Sequence, residues 1–560
     1  MDTQPVAAPH KQWPSWKLAA PNDALVQGLV VSGFGDLETG RALLLEFRWP
    51  EDPAAPNHAA TNLGAWLKTL MSVAPITNAQ PPDKAGGGAR SSRAAALAFS
   101  WTGLQRMGLP ATALASFSRP FVEGMLQEDR LRRLGDRRSG EWLETVVQGG
   151  PRWSANTPLR TAVSSVPGAF DVPDGGHQEE HVVTDITVHA LLLLYTHGED
   201  DVAAWTEAVT EALAAHQVVV VHTLGLVLDV ESSGISREHF GFADGLSQPA
   251  PYDENGTVLL DDKPVDKANK NAVQGVPLGE FLIGYLNGHH ENSPGPVTPG
   301  DLEGQPDKRD PRPSAAGLPP HRTAEGFFDL GLNGSYLVAR ELRQNVAAFW
   351  NAMDRNAAAI REHDPANSGH VTAEWIAERV IGRNRQGHLL CPGGVLKADA
   401  LDLPDSNYLF YDRDAQATGC PAGSHVRRAN PRDSLAPNPL QRGDLLQAAN
   451  NHRIMRRARK FGTRIADYRV DDGANRGLLF MCLNTDIARQ FEFVQQTWLL
   501  NSDFATLRSE VDPLVGPKGL MTIHETPLRR TVHVDTFVQA AGGDYFFLPS
   551  LPALSYLSML

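Results

Sequence analysis

Two hydrophobic patterns alternate along this chain. In one, apolar residues alternate with polar ones or fill short unbroken runs, as strands require. In the other, they recur every three or four positions, as on a helix face. The first pattern predicts strands at 25–32, 41–47, 94–100, 182–195 and 217–230. The second predicts helices at 63–72, 101–107 and 202–216. Residues 1–23 read as a polar tail, 79–92 as a loop with a Pro pair and a Gly triplet, and 156–181 as a long irregular stretch. Strands with interposed helices predict an α+β domain whose sheet is covered by helices on one face.

The second half repeats the mixture. Strands are expected at 279–285, 334–340 and 477–484, and helices at 341–354, 373–381 and 485–500. Residues 287–322 are rich in Pro and Gly and read as a surface insertion. The apolar end, 546–560, is expected to pack. Duplication of the fold is inferred from this rhythm alone, because the two halves show no convincing sequence repeat.

Composition narrows the class. At 560 residues the chain exceeds one ordinary core, which suggests about two to four domains. The 42% hydrophobic and 21% charged content is that of a water-soluble globular protein. A net charge of −14 argues against a nucleic-acid partner. Cys391, Cys420 and Cys482 make no disulfide framework and lack zinc-site spacing. With no signal-peptide pattern or transmembrane run in view, the expectation is a cytoplasmic protein that does not enter a membrane.

Three stretches carry candidate chemistry. Asp244 lies between Gly241 and Gly245, just after the apolar runs 218–221 and 224–230. Glycine permits a tight or left-handed turn that would aim the carboxylate at a fixed place. An ordinary surface turn has the same local signature. Next, His425 is followed by Arg427, Arg428 and Arg432. Imidazole can bind iron axially, and guanidinium groups suit carboxylates. A hydrogen-bonded structural histidine is the plain alternative. Finally, the basic run around Arg456 precedes the strand 477–484, where Leu478 and Phe480 point to one side. Such a run is usually a solvated face; here it could also form one wall of a pocket.

Taken together and in this order, these segments resemble the dye-decolorizing (DyP-type) haem peroxidases, in their longer-chain branch. Gly241, Asp244 and Gly245 match the family's G-x-x-D-G signature. The segment from His425 to Asn430-Pro431-Arg432 looks like its proximal-histidine segment, and Arg456 matches its distal arginine. The stretches 99–109, 279–285 and 477–496 are also similar. The chain departs from the pattern at Ala458, where some members carry Asn.

The resemblance implies two ferredoxin-like α+β domains, antiparallel sheets with peripheral helices, spanning 24–232 and 233–560 and enclosing one haem b. It implies reduction of hydrogen peroxide to water via compound I and oxidation of dyes, phenols or other one-electron donors. His425 would be the axial ligand of the haem iron, with Glu492 as the acid on its other ring nitrogen and Asp486 as fallback. Asp244 would be the acid–base catalyst and Arg456 the charge stabiliser. Arg432 would pair a propionate, Leu478 and Phe480 would line the distal wall, and Gly241 and Gly245 would shape the cofactor-binding loop. Arg427 and Arg428 are assigned less closely, one of them conceivably a surface residue. His452 and His388 are the next histidines in line. The rival reading is a haem-binding or haem-delivery protein without peroxidase turnover. Monomer and homodimer both remain open.

Overall fold

The alternating runs pair as their pattern requires. In the computed structural model, which describes residues 16–49, 63–81, 92–158, 182–231, 235–300, 317–397, 404–525 and 527–560, the first half supplies one antiparallel sheet. Its strands are β1 (Thr39–Phe47), β2 (Arg93–Phe99), β3 (Ala190–Thr196) and β4 (Val218–Val227), in the order β2-β3-β1-β4. The second half supplies β5 (Ser335–Gln344), β6 (Arg459–Phe461), β7 (Gly477–Asn484) and β8 (Val538–Leu548), in the order β8-β5-β7-β6.

The two sheets join at both edges. Lys460 and Phe461 of β6 pair with Val227 and Leu226 of β4, and Phe547 of β8 pairs with Phe99 of β2. The eight strands therefore close into a ring, which protects edges that would otherwise present unpaired backbone groups. Alternation along each strand then decides the cores. Ala42 and Leu44 of β1 point inward and share one core with Leu337, Ala339, Leu479, Met481, Leu483, Phe546 and Leu548 from the second sheet. Leu43, Leu45, Tyr336, Val338 and Tyr545 point outward into a second core. The helices α1 (Ala65–Val73) and α2 (Glu199–Ala214) cover that face through Trp66, Leu70, Val202 and Trp205. A third core joins α3 (Val346–His363) and α4 (Ala373–Ile381) to the hairpin formed by Gly519–Glu525 and Leu528–Val534. Phe240 and Phe242, next to Asp244, are packed into it. The architecture is α+β, as expected.

Several local expectations need correction. Residues 25–32 form no strand. A short helix, Asn22–Leu25, leads into turns there, and the buried Gln27 side chain spends its hydrogen bonds on Leu97 and on the Pro549 carbonyl. Residues 279–285 are not a strand either. A 3-10 turn, Leu278–Glu280, buries Phe281 and Leu282 in the inner core instead. The helix expected from 341 begins only at Val346, because 341–344 continue β5. Residues 485–500 are helical, but in two π-type turns, Ala488–Glu492 and Val494–Leu499. The insertion at 287–322 is not all surface: Val297–Pro299 pairs with Phe327–Asp329, and Thr298 is buried against the Tyr556 hydroxyl. The tail 1–15, most of the loop at 79–92 and most of the irregular stretch at 156–181 lie outside the described residues. Among the described residues no helix is long and apolar enough to cross a membrane.

Candidate active site

An upstream acid builds the loop that carries Asp244. The Glu238 carboxylate accepts the backbone N–H groups of Phe240 and Phe242 and the Gln344 side-chain amide, all at 2.8 Å. Burial pushes Glu238 up to about 7, although those three donors favour its charged form. Gly241 has φ +96°, and a Cβ there would lie 2.6 Å from Arg385 Nη2 and 3.0 Å from the Tyr468 hydroxyl. Only glycine meets both demands. Gly245, at φ +75°, turns the chain back so that its N–H donates to Asp244 Oδ1 at 2.6 Å. Oδ2 has no hydrogen-bond partner among the described residues, and the side chain is 31% exposed.

Arg456 faces this carboxylate. Met455–Arg456 pairs with the same edge of β7 as β6 does, interrupted at Arg457 and Ala458. Arg456 Nη1 stands 3.9 Å from Asp244 Oδ1, and Nη2 donates to the Leu246 carbonyl. Gln248 ties the loop to that strand by accepting the Arg456 N–H at 3.2 Å and donating to its carbonyl at 3.1 Å.

Two more guanidinium groups reach the same loop. Arg432 donates to Ser247 Oγ at 2.7 Å, and Arg453 donates to the Ser247 carbonyl at 2.8 Å. Arg453 is pushed down to about 9, first by burial and then by repulsion from Arg432 and Arg456. Its Nη1 is buried without a hydrogen-bond partner among the described residues. A buried donor on an unneutralised cation calls for an anionic acceptor.

His425 opens the five-residue helix α5 (His425–Ala429). Its Nδ1 lies 3.0 Å from Oδ2 of the wholly buried Asp512. Burial alone would push Asp512 up. The His425 imidazole, the Val515 N–H and Arg428 more than offset it and hold the carboxyl below its usual range. That arrangement fixes the ring and leaves Nε2 without a partner among the described residues. Downstream of α5, Arg432 bonds Ser247, so the histidine segment and the arginine strand are tied to one loop, 244–248.

The other expected residues fall as follows. Glu492 is not beside His425. It is buried with Arg130, at 2.7 and 2.8 Å, and with the Tyr545 hydroxyl at 2.6 Å. Asp486 accepts the Arg489 N–H at 2.9 Å. Both expectations are corrected to Asp512, a residue with no local signal linking it to His425. Neither Arg427 nor Arg428 is a surface residue: Arg427 pairs buried Asp414 at 2.8 Å, and Arg428 donates to the carbonyls of Trp498, Asn501 and Glu510. Arg432 is itself buried, at φ +54°, with its guanidinium over the Tyr408 ring. Leu478 and Phe480 share one half-buried face of β7, while Leu479 and Met481 point into the inner core. His452 stacks on Phe493 at 3.7 Å with Nδ1 on the Arg489 carbonyl, and His388 is buried, next to a glycine that packs on Ala243 and Leu246. Sequence reasoning missed Glu238, Arg453 and Asp512. Arg453, three residues before Arg456, was in plain view inside a basic run.

No family model matches the chain. It is 28% identical over 409 residues to a dye-decolorizing peroxidase of Mycena epipterygia, a match covering 66% of each chain. It is 28% identical over 392 residues to the multifunctional dye peroxidase DyP2 of an Amycolatopsis species, covering 66% of this chain and 71% of the relative. The matches thus span about two thirds of these relatives' lengths. Among solved structures, the DyP-type peroxidase of an Anabaena species superposes with a TM-score of 0.65 at 21% identity, covering 96% of this chain and 94% of the other. In sequence and in fold the chain is thus similar to dye-decolorizing, DyP-type, peroxidases.

Proposed function

We propose that this chain is a haem b peroxidase in which Asp244 and Arg456 act on hydrogen peroxide and His425 carries the cofactor's iron. The observation that carries the reading is the shared loop. A carboxylate facing a guanidinium at 3.9 Å and a carboxylate-fixed imidazole whose Nε2 bonds no described residue are both anchored through residues 244–248. Haem fits this donor set. His425 Nε2 is available to iron, and the buried cations Arg453 and Arg432 suit its propionate carboxylates. When bound, haem supplies the metal centre at which a peroxide bond is split and oxidising equivalents are held.

The chain's own groups do the rest. Asp512 accepts Nδ1–H, sets the tautomer and strengthens His425 as a donor. Asp244 Oδ2, which bonds no described residue, would take a proton from hydrogen peroxide and deliver it to the oxygen that leaves as water. A positioned base of this kind contributes roughly 10²–10⁴ in rate. Arg456 holds the negative charge that grows on the departing oxygen. Leu478 and Phe480 provide an apolar wall that favours small oxidants. One-electron donors then return electrons one at a time; dyes are the donors that the relatives' names indicate. A mere haem carrier would need neither the base nor the facing guanidinium.

The test compares the native chain with His425→Ala after haem loading, by optical spectrum and peroxide-dependent dye oxidation. The native chain should show a haem spectrum and turn over. The variant should bind haem weakly or with a shifted spectrum, and an unchanged spectrum would reject His425.

A further inference from the structure

We infer that Tyr545 is an internal redox relay of this enzyme, holding one oxidising equivalent as a neutral tyrosyl radical while Glu492 holds the phenol's proton. The inference rests on the peroxidase reading, which supplies the oxidant.

Three observations select this residue. First, strand register lines it up with the active site. Arg456 pairs with Cys482, Cys482 with Val338, and Val338 with Tyr545. Directly paired residues share a sheet face. Three interstrand steps of about 4.8 Å put Tyr545 about 14 Å from Arg456 across continuous packed sheet. Cys482, Val338 and Tyr545 all lie buried in the outward-facing core, and Glu492 is buried as well.

Second, Tyr545 has a base. Its hydroxyl donates to Glu492 Oε1 at 2.6 Å, and the carboxylate is held by both 2.7 and 2.8 Å bonds from Arg130. Burial, and then the Glu492 charge, push the phenol well above its usual range, so it stays protonated at rest. An electron can leave such a buried phenol only if its proton leaves too, because a phenol cation in an apolar core is prohibitively unstable. Third, the neighbouring buried tyrosine lacks this arrangement. Tyr336 lies on the same face, but there the Ser118 N–H donates to the phenol oxygen, at 2.9 Å.

The step balances. One electron passes from Tyr545 to a site oxidised by peroxide, the O–H bond breaks, and the proton moves to Glu492 Oε1. The net charge of the Tyr545–Glu492–Arg130 cluster rises by one. A donor electron reverses the step, and the proton returns to the phenol oxygen.

The test uses the haem-loaded full chain, mixed with hydrogen peroxide, freeze-quenched and read by electron paramagnetic resonance. The signal should narrow when the protein carries ring-deuterated tyrosine, disappear in Tyr545→Phe and persist in Tyr336→Phe. Glu492→Gln keeps the phenol but removes the base, and radical formation should slow about 100-fold. It therefore also tests the relay if Tyr545→Phe fails to fold. Narrowing with deuterated tryptophan instead, survival of the tyrosyl signal in Tyr545→Phe, or an unchanged rate in Glu492→Gln overturns the relay. The optical spectrum of the native enzyme separates the two levels. If peroxide changes that spectrum and no Tyr545 radical forms, the relay alone falls. If peroxide changes nothing, the peroxidase reading falls and takes the relay with it.

Discussion

The site's chemistry turns on which atoms remain free. In the proposed mechanism His425 would act through Nε2, because Asp512 occupies Nδ1 and nothing described occupies Nε2. In the same mechanism Asp244 would act through Oδ2, because Gly245 takes Oδ1 and no described residue bonds Oδ2. The motif residues themselves were legible in sequence because each sits in an unusual local context: glycines around Asp244, a run of arginines after His425. Asp512 was not, because it lies 87 positions from His425 and its turn, which bonds Leu514 and Val515 N–H groups at 2.9 Å, looks like any Asx turn. The family resemblance pointed to Glu492 for that duty, and nothing in its helical neighbourhood reveals its partner, Arg130, 362 positions away. Asp512→Asn should weaken haem retention about 10–100-fold, the usual effect of losing an outer hydrogen bond to a metal-bound histidine. Competition for haem against a scavenging protein measures it. Retention equal to the native chain would mean that Asp512 does not support the ligand.

At the level of elements, β7 and α4 matched expectation to the residue, since an unbroken apolar run of strand length and a Thr–Gly capping pair leave little freedom. Short apolar runs failed where tertiary contacts outweighed them: 25–32 and 279–285 are turns packed into the inner core. The Asp244 loop shows how a turn can be held by a titratable group. Glu238 stands at about 7 in the folded chain against an ordinary 4.5. A raised acid favours the fold while protonated. That stability is complete below the unfolded value and is lost as pH rises from about 4.5 through about 7. Unscreened, the loss would be about 3 kcal/mol, and partial solvent contact reduces it. Denaturant unfolding from pH 5 to 8 should therefore show a decline that Glu238→Gln flattens. Parallel pH profiles for the two proteins would contradict the assignment.

Across the whole molecule, the rhythm of strands and helices indicated two similar halves, but nothing in it announced that their sheets close into one ring. That closure depends on two short edge contacts, the Phe547–Phe99 pair and the two-residue junction of β4 with β6. Neither has a hydrophobic signature of its own. Because the two sheets share the inner core, the halves 24–232 and 233–560 should unfold together. Probes placed in each half should report coincident denaturant transitions, and two separated transitions would show independent domains. The ring also gives the site its rigidity. Arg456 adjoins β7 in one sheet, Asp244 follows β4 of the other, and the β4–β6 junction links the two. The most direct test of this account is stopped-flow mixing of hydrogen peroxide with haem-loaded native chain and Asp244→Asn. The account predicts haem retained in both and the peroxide reaction slowed roughly 10²–10⁴-fold in the variant. A variant that reacts as fast as the native chain would contradict it.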